Sequence, residues 1–528
     1  MKKIISLILV LAMVLTVAVA FTGCDDTGKK EGVFRVFGLA ADSTKEDIYD
    51  QYHKIWEEKC EYDIEWMGGD INMVMSSGDY PDIIARTAFQ NVDVAKYADE
   101  GILIPLEDYI NEKNTPNIYK MFQEHPTTKA IATSPDGHIY ALPSYNGDPG
   151  AYIETCWWIN RAWLNKLGLE APTNLDELYE VLKAFKTKDP NGNGKADEIP
   201  MSFLNDGAYN YPETLLSCWG ISTKFGMFDG YLNVQKGKVN FTPIMDEWKL
   251  MIKFYAKLYK EGLLDQEAFT QTDSIYSSKL KADTPIVGVT FHKEAVFTPN
   301  NDQYEVILPL KSTADSKIKP VIRIHPGVMG VRNSAHVTVA CKDPAAALRW
   351  LDTFYDKEAT IQNKYGLAEG EHASFTKEDG MYKWVDYEAK GFESIAEMAN
   401  MQTATGAPSY LEVTPAEDGG DIGVLIEDCN MFSSYRDLYK MYEPYLDTET
   451  WPRPYYNPSD SDELSTIQTD IHNYVEEKKA EWIMGRSDVD ADWAAYLKRM
   501  KAFGVDRYLE INQDAYDVFE ESLNSIIK

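Results

Sequence analysis

Between Val33 and Ala85 the chain alternates apolar strand with amphipathic helix, and no other feature restricts its fold as strongly. Val33-Phe34-Arg35-Val36-Phe37-Gly38 reads as an apolar strand ending in glycine. Ser43 and Glu46 have the spacing of a capping box, and Ile48, Tyr52, Ile55 and Trp56 follow at helical intervals. Glu61 to Met67 alternates as a second strand, and Tyr80-Pro81-Asp82-Ile83-Ile84-Ala85 leads into a third. Strands separated by helix-length segments do not pair as tight hairpins, so this pattern predicts a parallel α/β sheet.

The same grammar returns downstream. Tyr152 to Ile159 is strand-like, and Thr173-Asn174-Leu175-Asp176 reads as another capping box, with Leu178, Val181, Leu182 and Phe185 on one face. Ile286 to Val289, closed by Phe291-His292, is a short buried-strand run, and Val328-Met329-Gly330-Val331 is a strand ending in a turn. Asp343 caps a helix that Pro344 opens and that continues through Trp350. The C-terminal part is mostly helical, over 462–484, 492–503 and from Val505 onward. A chain of 528 residues, 44% of them apolar, is long enough for two cores. Its formal charge of −32 repels phosphate backbones and anionic headgroups, which excludes a nucleic-acid partner.

The first residues set the compartment. Lys2 and Lys3 precede an apolar run from Ile4 to Phe21, and Phe21-Thr22-Gly23-Cys24 then gives way to Asp25-Asp26. A basic start, an apolar run and a small-residue site form a secretory signal over residues 1–23. The Gly23-Cys24 pair resembles the lipobox of bacterial lipoproteins, which implies acylation of Cys24 on sulfur (palmitate or a similar chain), with Phe21 in place of the usual leucine. Residues 24–32 then serve as a tether. An uncleaved anchor helix is the competing reading of the apolar run. The other cysteines, 60, 156, 218, 341 and 429, are widely spaced and odd in number. They make no disulfide framework and no zinc cluster, and read as small buried hydrophobes, with a single Cys156–Cys218 bridge left open.

Several stretches together resemble an extracellular solute-binding protein of a bacterial ABC importer, in the oligosaccharide-binding group. They are Ser77-Gly78-Asp79-Tyr80-Pro81-Asp82-Ile83-Ile84, Leu103-Ile104-Pro105-Leu106, Asp136-Gly137-His138-Ile139-Tyr140-Ala141-Leu142-Pro143 and Trp158-Ile159-Asn160-Arg161. Trp163-Leu164-Asn165-Lys166-Leu167-Gly168 and Asp506-Arg507-Tyr508-Leu509-Glu510-Ile511 continue the match. The resemblance implies an α/β, two-lobed periplasmic-binding-protein type II fold with discontinuous lobes and a helical C-terminal region. Lobe 1 is expected over 33–147 plus 330–395, and lobe 2 over 148–329 plus 396–528. It also implies a monomeric, lipid-anchored receptor that binds an oligosaccharide between the lobes, closes on it, and delivers it to ABC transporter permease subunits. A peptide or other polar solute is the alternative cargo. A surface glycosidase or an adhesin is the alternative class.

Asp189-Pro190-Asn191-Gly192-Asn193-Gly194-Lys195-Ala196-Asp197-Glu198 is the sharpest local motif. Oxygen side chains at positions 1, 3 and 5 with glycine at 6 match the start of a Ca²⁺ loop, where alternate residues of a tight turn point inward. The resemblance carries over a structural Ca²⁺ ligand set of Asp189, Asn191, Asn193, the Lys195 carbonyl, Asp197 and Glu198. Position 12 is Pro200, so Glu198 has to supply the bidentate carboxylate; a solvated Asx/Gly turn is the alternative.

The chain holds 33 Tyr, 12 Trp and 20 Phe. A sugar presents flat C–H faces fringed by hydroxyls, and so needs aromatic platforms beside amides and charged groups. From the segments that the resemblance places at the cleft, the candidates are Phe37, Arg86, Gln90, Tyr145, Asn146, Asp148, Trp158, Asn205, Tyr209 and Trp219. Nucleophile-elbow, His-Glu-x-x-His, Walker and dinucleotide motifs do not occur in the sequence, so no catalytic residue is assigned and the chain is not read as an enzyme.

Overall fold

The computed structural model describes residues 32–39, 46–86, 89–147, 153–205, 207, 210–224, 229–293, 295–324, 331–378, 381–392, 395–403, 406–412, 426–427 and 437–528. Cys24, the leader, Ser43, Asp148, Tyr209 and Val328–Gly330 lie outside these residues.

The chain starts with β1 (Val33–Phe37), β2 (Asp63–Met67), β3 (Ile83–Ala85) and β4 (Leu142–Asn146). It crosses to β5 (Cys156–Asn160), β6 (Ile199–Met201), a hairpin of β7 (Leu232–Gln235) and β8 (Lys238–Phe241), then β9 (Val287–His292) and β10 (Tyr304–Ile307). It returns with β11 (Val331–Val337), followed by β12 (Phe375–Glu378), β13 (Met381–Trp384), β14 (Tyr410–Leu411) and β15 (Ile426–Glu427). Three helices, Pro458–Ile483, Val489–Ala502 and Val505–Ile527, end the chain.

The first sheet has the order β14-β4-β11-β3-β1-β2. β1 is parallel to β2 and β3, as the alternating sequence implies, but β11 runs antiparallel to both β3 and β4. The sheet is therefore mixed, because strand direction follows the direction of travel. β4 and β14 run parallel to each other and both lead out of the sheet at the same end, while β11 enters it after the second lobe's strands. Gly38 permits the tight end of β1: at φ +101° a Cβ there would lie 1.8 Å from the Ala85 carbonyl oxygen. The second sheet has the order β10-β5-β9-β6, with β5 antiparallel to both neighbours. Each sheet sits in its own apolar cluster, the first around Trp56, Trp350 and Phe354, the second around Trp157, Trp163, Trp248 and Trp482.

Packing between C-terminal segments and the first lobe ties the lobes together. Trp451 is buried in the second cluster, while Tyr455, four residues on, is buried with Phe37, Ile84 and Tyr140 of the first lobe. The side-chain amide of Asn91 donates to the Arg453 and Pro454 carbonyls of this link at 3.0 and 3.1 Å. The helix Val505–Ile527 packs on both Pro126–Ala132 and β8, and Ala130 and Ile131 are buried in the second cluster.

Several local expectations need correction. Tyr410–Leu411 belongs to the first sheet, so that sheet recruits chain beyond the boundary expected at 395. Asn174, not Thr173, caps the helix Leu175–Thr187, accepting from the Asp176 and Glu177 amides. Glu177 rather than Asp176 reaches back, to the backbone and hydroxyl of Thr173 at 2.8 Å. β11 runs from Val331 through Val337, where a turn was expected after Val331. Cys156 and Cys218 are separate free thiols in different apolar clusters, where burial pushes both up. Among the described residues no helix is long and apolar enough to cross a membrane.

Candidate functional site

A cavity of about 490 Å³ opens between the lobes. The first lobe contributes Gln90, Asn91 and Val92, at the start of the helix Asn91–Asp99. The second lobe contributes Gly230, a polar stripe of the helix Pro458–Ile483, and Tyr508. Ser465, Gln468, Thr469 and His472 stand at i, i+3, i+4 and i+7, so one helical face carries all four into the cavity. Arg453, on the link, completes the wall. Gly230 is required there: at φ +55° a Cβ would sit 2.3 Å from the Tyr508 hydroxyl. That hydroxyl donates to the Gly230 carbonyl at 3.1 Å. Burial lowers His472 to about 4, so it meets the cavity as a neutral imidazole at neutral pH.

Behind the cavity a ladder of buried charges fixes the wall. Asp229 accepts two hydrogen bonds from Arg453, at 2.9 and 2.7 Å, and one from Arg323 at 2.5 Å. Arg323 also donates to Glu154, which in turn accepts from Lys224 at 2.9 Å. Burial alone would raise the Asp229 carboxyl, but Arg323 and Arg453 outweigh it and hold it at about 2. A buried carboxylate is tolerated only with such partners. A second buried set joins Lys479 to Glu213 and Glu476, each at 2.9 Å, with Tyr231 donating to Glu476.

The expected ligand residues have diverse surroundings. Gln90 lines the cavity. Asn205 stands near the Lys479 set, its amide donating to Glu476 at 2.8 Å, while its buried Oδ1 has no partner among the described residues. Arg86 turns into the first lobe, its guanidinium 5.6 Å from the Tyr49 ring centroid and beside Gly406. Asn146 is half-buried at the end of β4, and Trp219 is partly buried against the second core. Three aromatic platforms need correction. Phe37 is core between the sheet and Tyr455, Tyr145 is stacked on His125 at 3.8 Å, and Trp158 is packed edge-on to Phe297 with its indole N–H on the His292 carbonyl. Phe37 and Tyr145, near strand ends, and Trp158, in the middle of β5, are all buried in apolar clusters.

The wall residues Arg453, Gln468, His472 and Tyr508 were missed from the sequence, since they lie more than 360 positions from Gln90. The one legible trace was the polar stripe at helical spacing.

The Asp189–Glu198 loop connects the helix Leu175–Thr187 to β6, so it is a helix–loop–strand unit rather than a helix–loop–helix. Asp189, at φ +45°, accepts from the Gly192 and Gly194 amides, and Asn191 and Asn193 each accept from the amide two residues on. These Asx turns curl the side-chain oxygens into the loop. Asp197 accepts from both asparagine amides at 2.9 to 3.1 Å. Glu198 is buried, and its Oε1 has no partner among the described residues. Burial, together with Asp197 and Asp189 close by, pushes its carboxyl up. Two further acids and an orphaned buried oxygen fit an oxygen-seeking cation.

The chain's sheets, linked lobes and shared cavity are those of a binding protein that holds a solute between two lobes. It belongs to the bacterial extracellular solute-binding protein family, whose model matches residues 65–361. It is 32% identical over 468 residues to the fructooligosaccharide ABC transporter substrate-binding protein FusA of Streptococcus pneumoniae serotype 4, covering 86% of this chain and 83% of that one. The structure of FusA in complex with kestose superposes with a TM-score of 0.75 at 29% identity, over 93% of this chain and 99% of that one. An EF-hand mutant of FusA in complex with fructo-nystose matches equally. An HMO-binding, ABC-transporter-associated solute-binding protein from Bifidobacterium longum infantis superposes at 0.79, with 27% identity over 93% and 99% of the two chains.

Proposed function

We propose that this protein is the oligosaccharide receptor of an ABC importer, tethered outside the cell through lipid on Cys24, monomeric, and handing its cargo to permease subunits. The observation that carries the reading is the cavity between the lobes, whose described wall combines amides, hydroxyls, tyrosines and one arginine. Such groups match the hydroxyl fringe and flat faces of a sugar, whereas a peptide would call for strand-edge pairing as well. Kestose in FusA makes fructooligosaccharides the first cargo to test. In the open form only one lobe holds the ligand; closure adds the other, and this differential affinity drives the closure. Asn205 and Trp219 of the second lobe extend the same site in this reading, while Asp148 and Tyr209 lie outside the described residues.

The Asp189–Glu198 loop supplies a structural Ca²⁺ site in this reading. Asp189, Asn191, Asn193, the Lys195 carbonyl, Asp197 and Glu198 hold the ion, which neutralises the acids and braces the entry to β6. The EF-hand mutant of FusA supports the assignment.

Calorimetric titration of the leaderless chain with kestose, longer fructooligosaccharides, other glycans and short peptides tests the cargo. Saturable binding of one glycan class with no peptide heat is the expected result. Binding of peptides alone would replace the sugar reading.

A further inference from the structure

A second donor cluster lies far from the Asp189–Glu198 loop, at the edge of the first sheet. One imidazole nitrogen of His125 and one carboxylate oxygen each of Glu124 and Glu412 lie within 4.8 Å of one another. His125 sits between the helices Pro116–Glu124 and Pro126–Ala132, and its ring is held flat on Tyr145 at 3.8 Å. Its Nε2 is buried with no hydrogen-bond partner among the described residues. The Tyr410 hydroxyl donates to Glu124 at 2.5 Å and reaches Glu412 at 3.2 Å, drawing the two acids together as an outer-shell group would. Lys120, largely exposed, provides the countercharge, with its ammonium 3.5 Å from Glu412 and 3.6 Å from Glu124.

We propose that Glu124, His125 and Glu412 form a site for a borderline divalent transition ion, with Zn²⁺ as its reference occupant. One nitrogen and two carboxylate donors suit such an ion, while Ca²⁺ prefers an all-oxygen shell. Bonds of about 2 Å require donors roughly 3–4 Å apart, so the two partly exposed glutamates close in and Lys120 swings out. The location gives the site a purpose. Glu412 follows Leu411, whose carbonyl accepts from the Gly147 amide at 2.7 Å, and Leu411 pairs with Asn146. β4 leads out of the first sheet at this point, so a bound ion staples the root of that connection and the end of β14 to the helix ends beneath them.

The test is a Zn²⁺ titration of tag-free, leaderless protein with the Ca²⁺ loop kept saturated, backed by Co²⁺ absorption. One equivalent should bind, and His125→Ala and Glu412→Gln should each weaken it at least tenfold while far-ultraviolet circular dichroism is unchanged. Lys120→Met should tighten it, since a competing cation is gone. Asp189→Asn with Asp197→Asn should leave it intact. No Zn²⁺ binding by the wild type overturns the proposal, as does binding insensitive to His125→Ala and Glu412→Gln, or abolished only by the loop variant.

Discussion

Two clusters of acids in the second lobe treat buried carboxylates in opposite ways. The ladder behind the cavity surrounds Glu154 and Asp229 with Lys224, Arg323 and Arg453, so each buried acid faces cations from this chain. The Asp189–Glu198 loop gathers three acids; Lys195 offsets Asp197, but Lys166 and Lys186 reach backbone carbonyls instead, those of Asp189 and Glu198. The same element, a buried carboxylate, is held low in one cluster and pushed up in the other. A closed set of charges is architecture; an unbalanced one asks for an ion.

The largest expected effect comes from breaking the closed set. Asp229→Ala leaves buried Arg323 with Glu154 as its remaining carboxylate partner and removes the carboxylate that part-buried Arg453 holds; it should cost about 3–5 kcal/mol in denaturant unfolding of the second lobe, with or without Ca²⁺. The open set should respond to the ion instead. Ca²⁺ at 100 times its dissociation constant should add about 2.7 kcal/mol, lost on chelation. Glu198→Gln sharpens the contrast by reversing sign: it should destabilise the protein in Ca²⁺ and stabilise it in chelator, because the orphaned buried charge is gone. Equal thermal shifts for wild type and Glu198→Gln in both buffers would return the loop to an ordinary turn.

Acid offers a smaller probe of the cavity wall. His472 titrates near 4 in the folded protein, below its ordinary value, so the unfolded chain binds more protons between those limits. Stability should therefore fall as pH drops through about 6.5 toward 4, by about 2 kcal/mol at pH 5, with His125 adding in the same direction. Asp229, held at about 2, contributes its loss only below about pH 4. His472→Gln should flatten this stretch of the pH–stability profile; an unchanged slope would place the cause elsewhere. The smallest effect is on ligand: Gln468→Ala should weaken glycan binding by about two- to tenfold, one neutral hydrogen bond, with no change in melting temperature.

The sequence made the local elements legible wherever a cap or a periodic apolar face decided them. Asp343 and Pro344 opened their helix as read, with Asp343 accepting from the Ala346 amide at 3.0 Å. Trp56, Trp163 and Trp350 on apolar stripes are core. What stayed hidden was long-range. Tyr410–Leu411 joins β4 across about 265 residues of chain, and two residues carry too little pattern to announce a strand. The cavity was hidden for the same reason, since Gln90 and Gln468 come to line it together only after the lobes are assembled. Phe37, Tyr145 and Trp158 show the complementary failure: an aromatic on a strand has the composition of a platform, and only packing reveals that it is buried.

The most direct test of the receptor mechanism is small-angle X-ray scattering of the leaderless chain with and without the glycan that calorimetry identifies. A fall in radius of gyration on saturation, absent with an unbound sugar, is the expected result. Saturable binding with no change in radius of gyration would contradict closure of two lobes on the ligand.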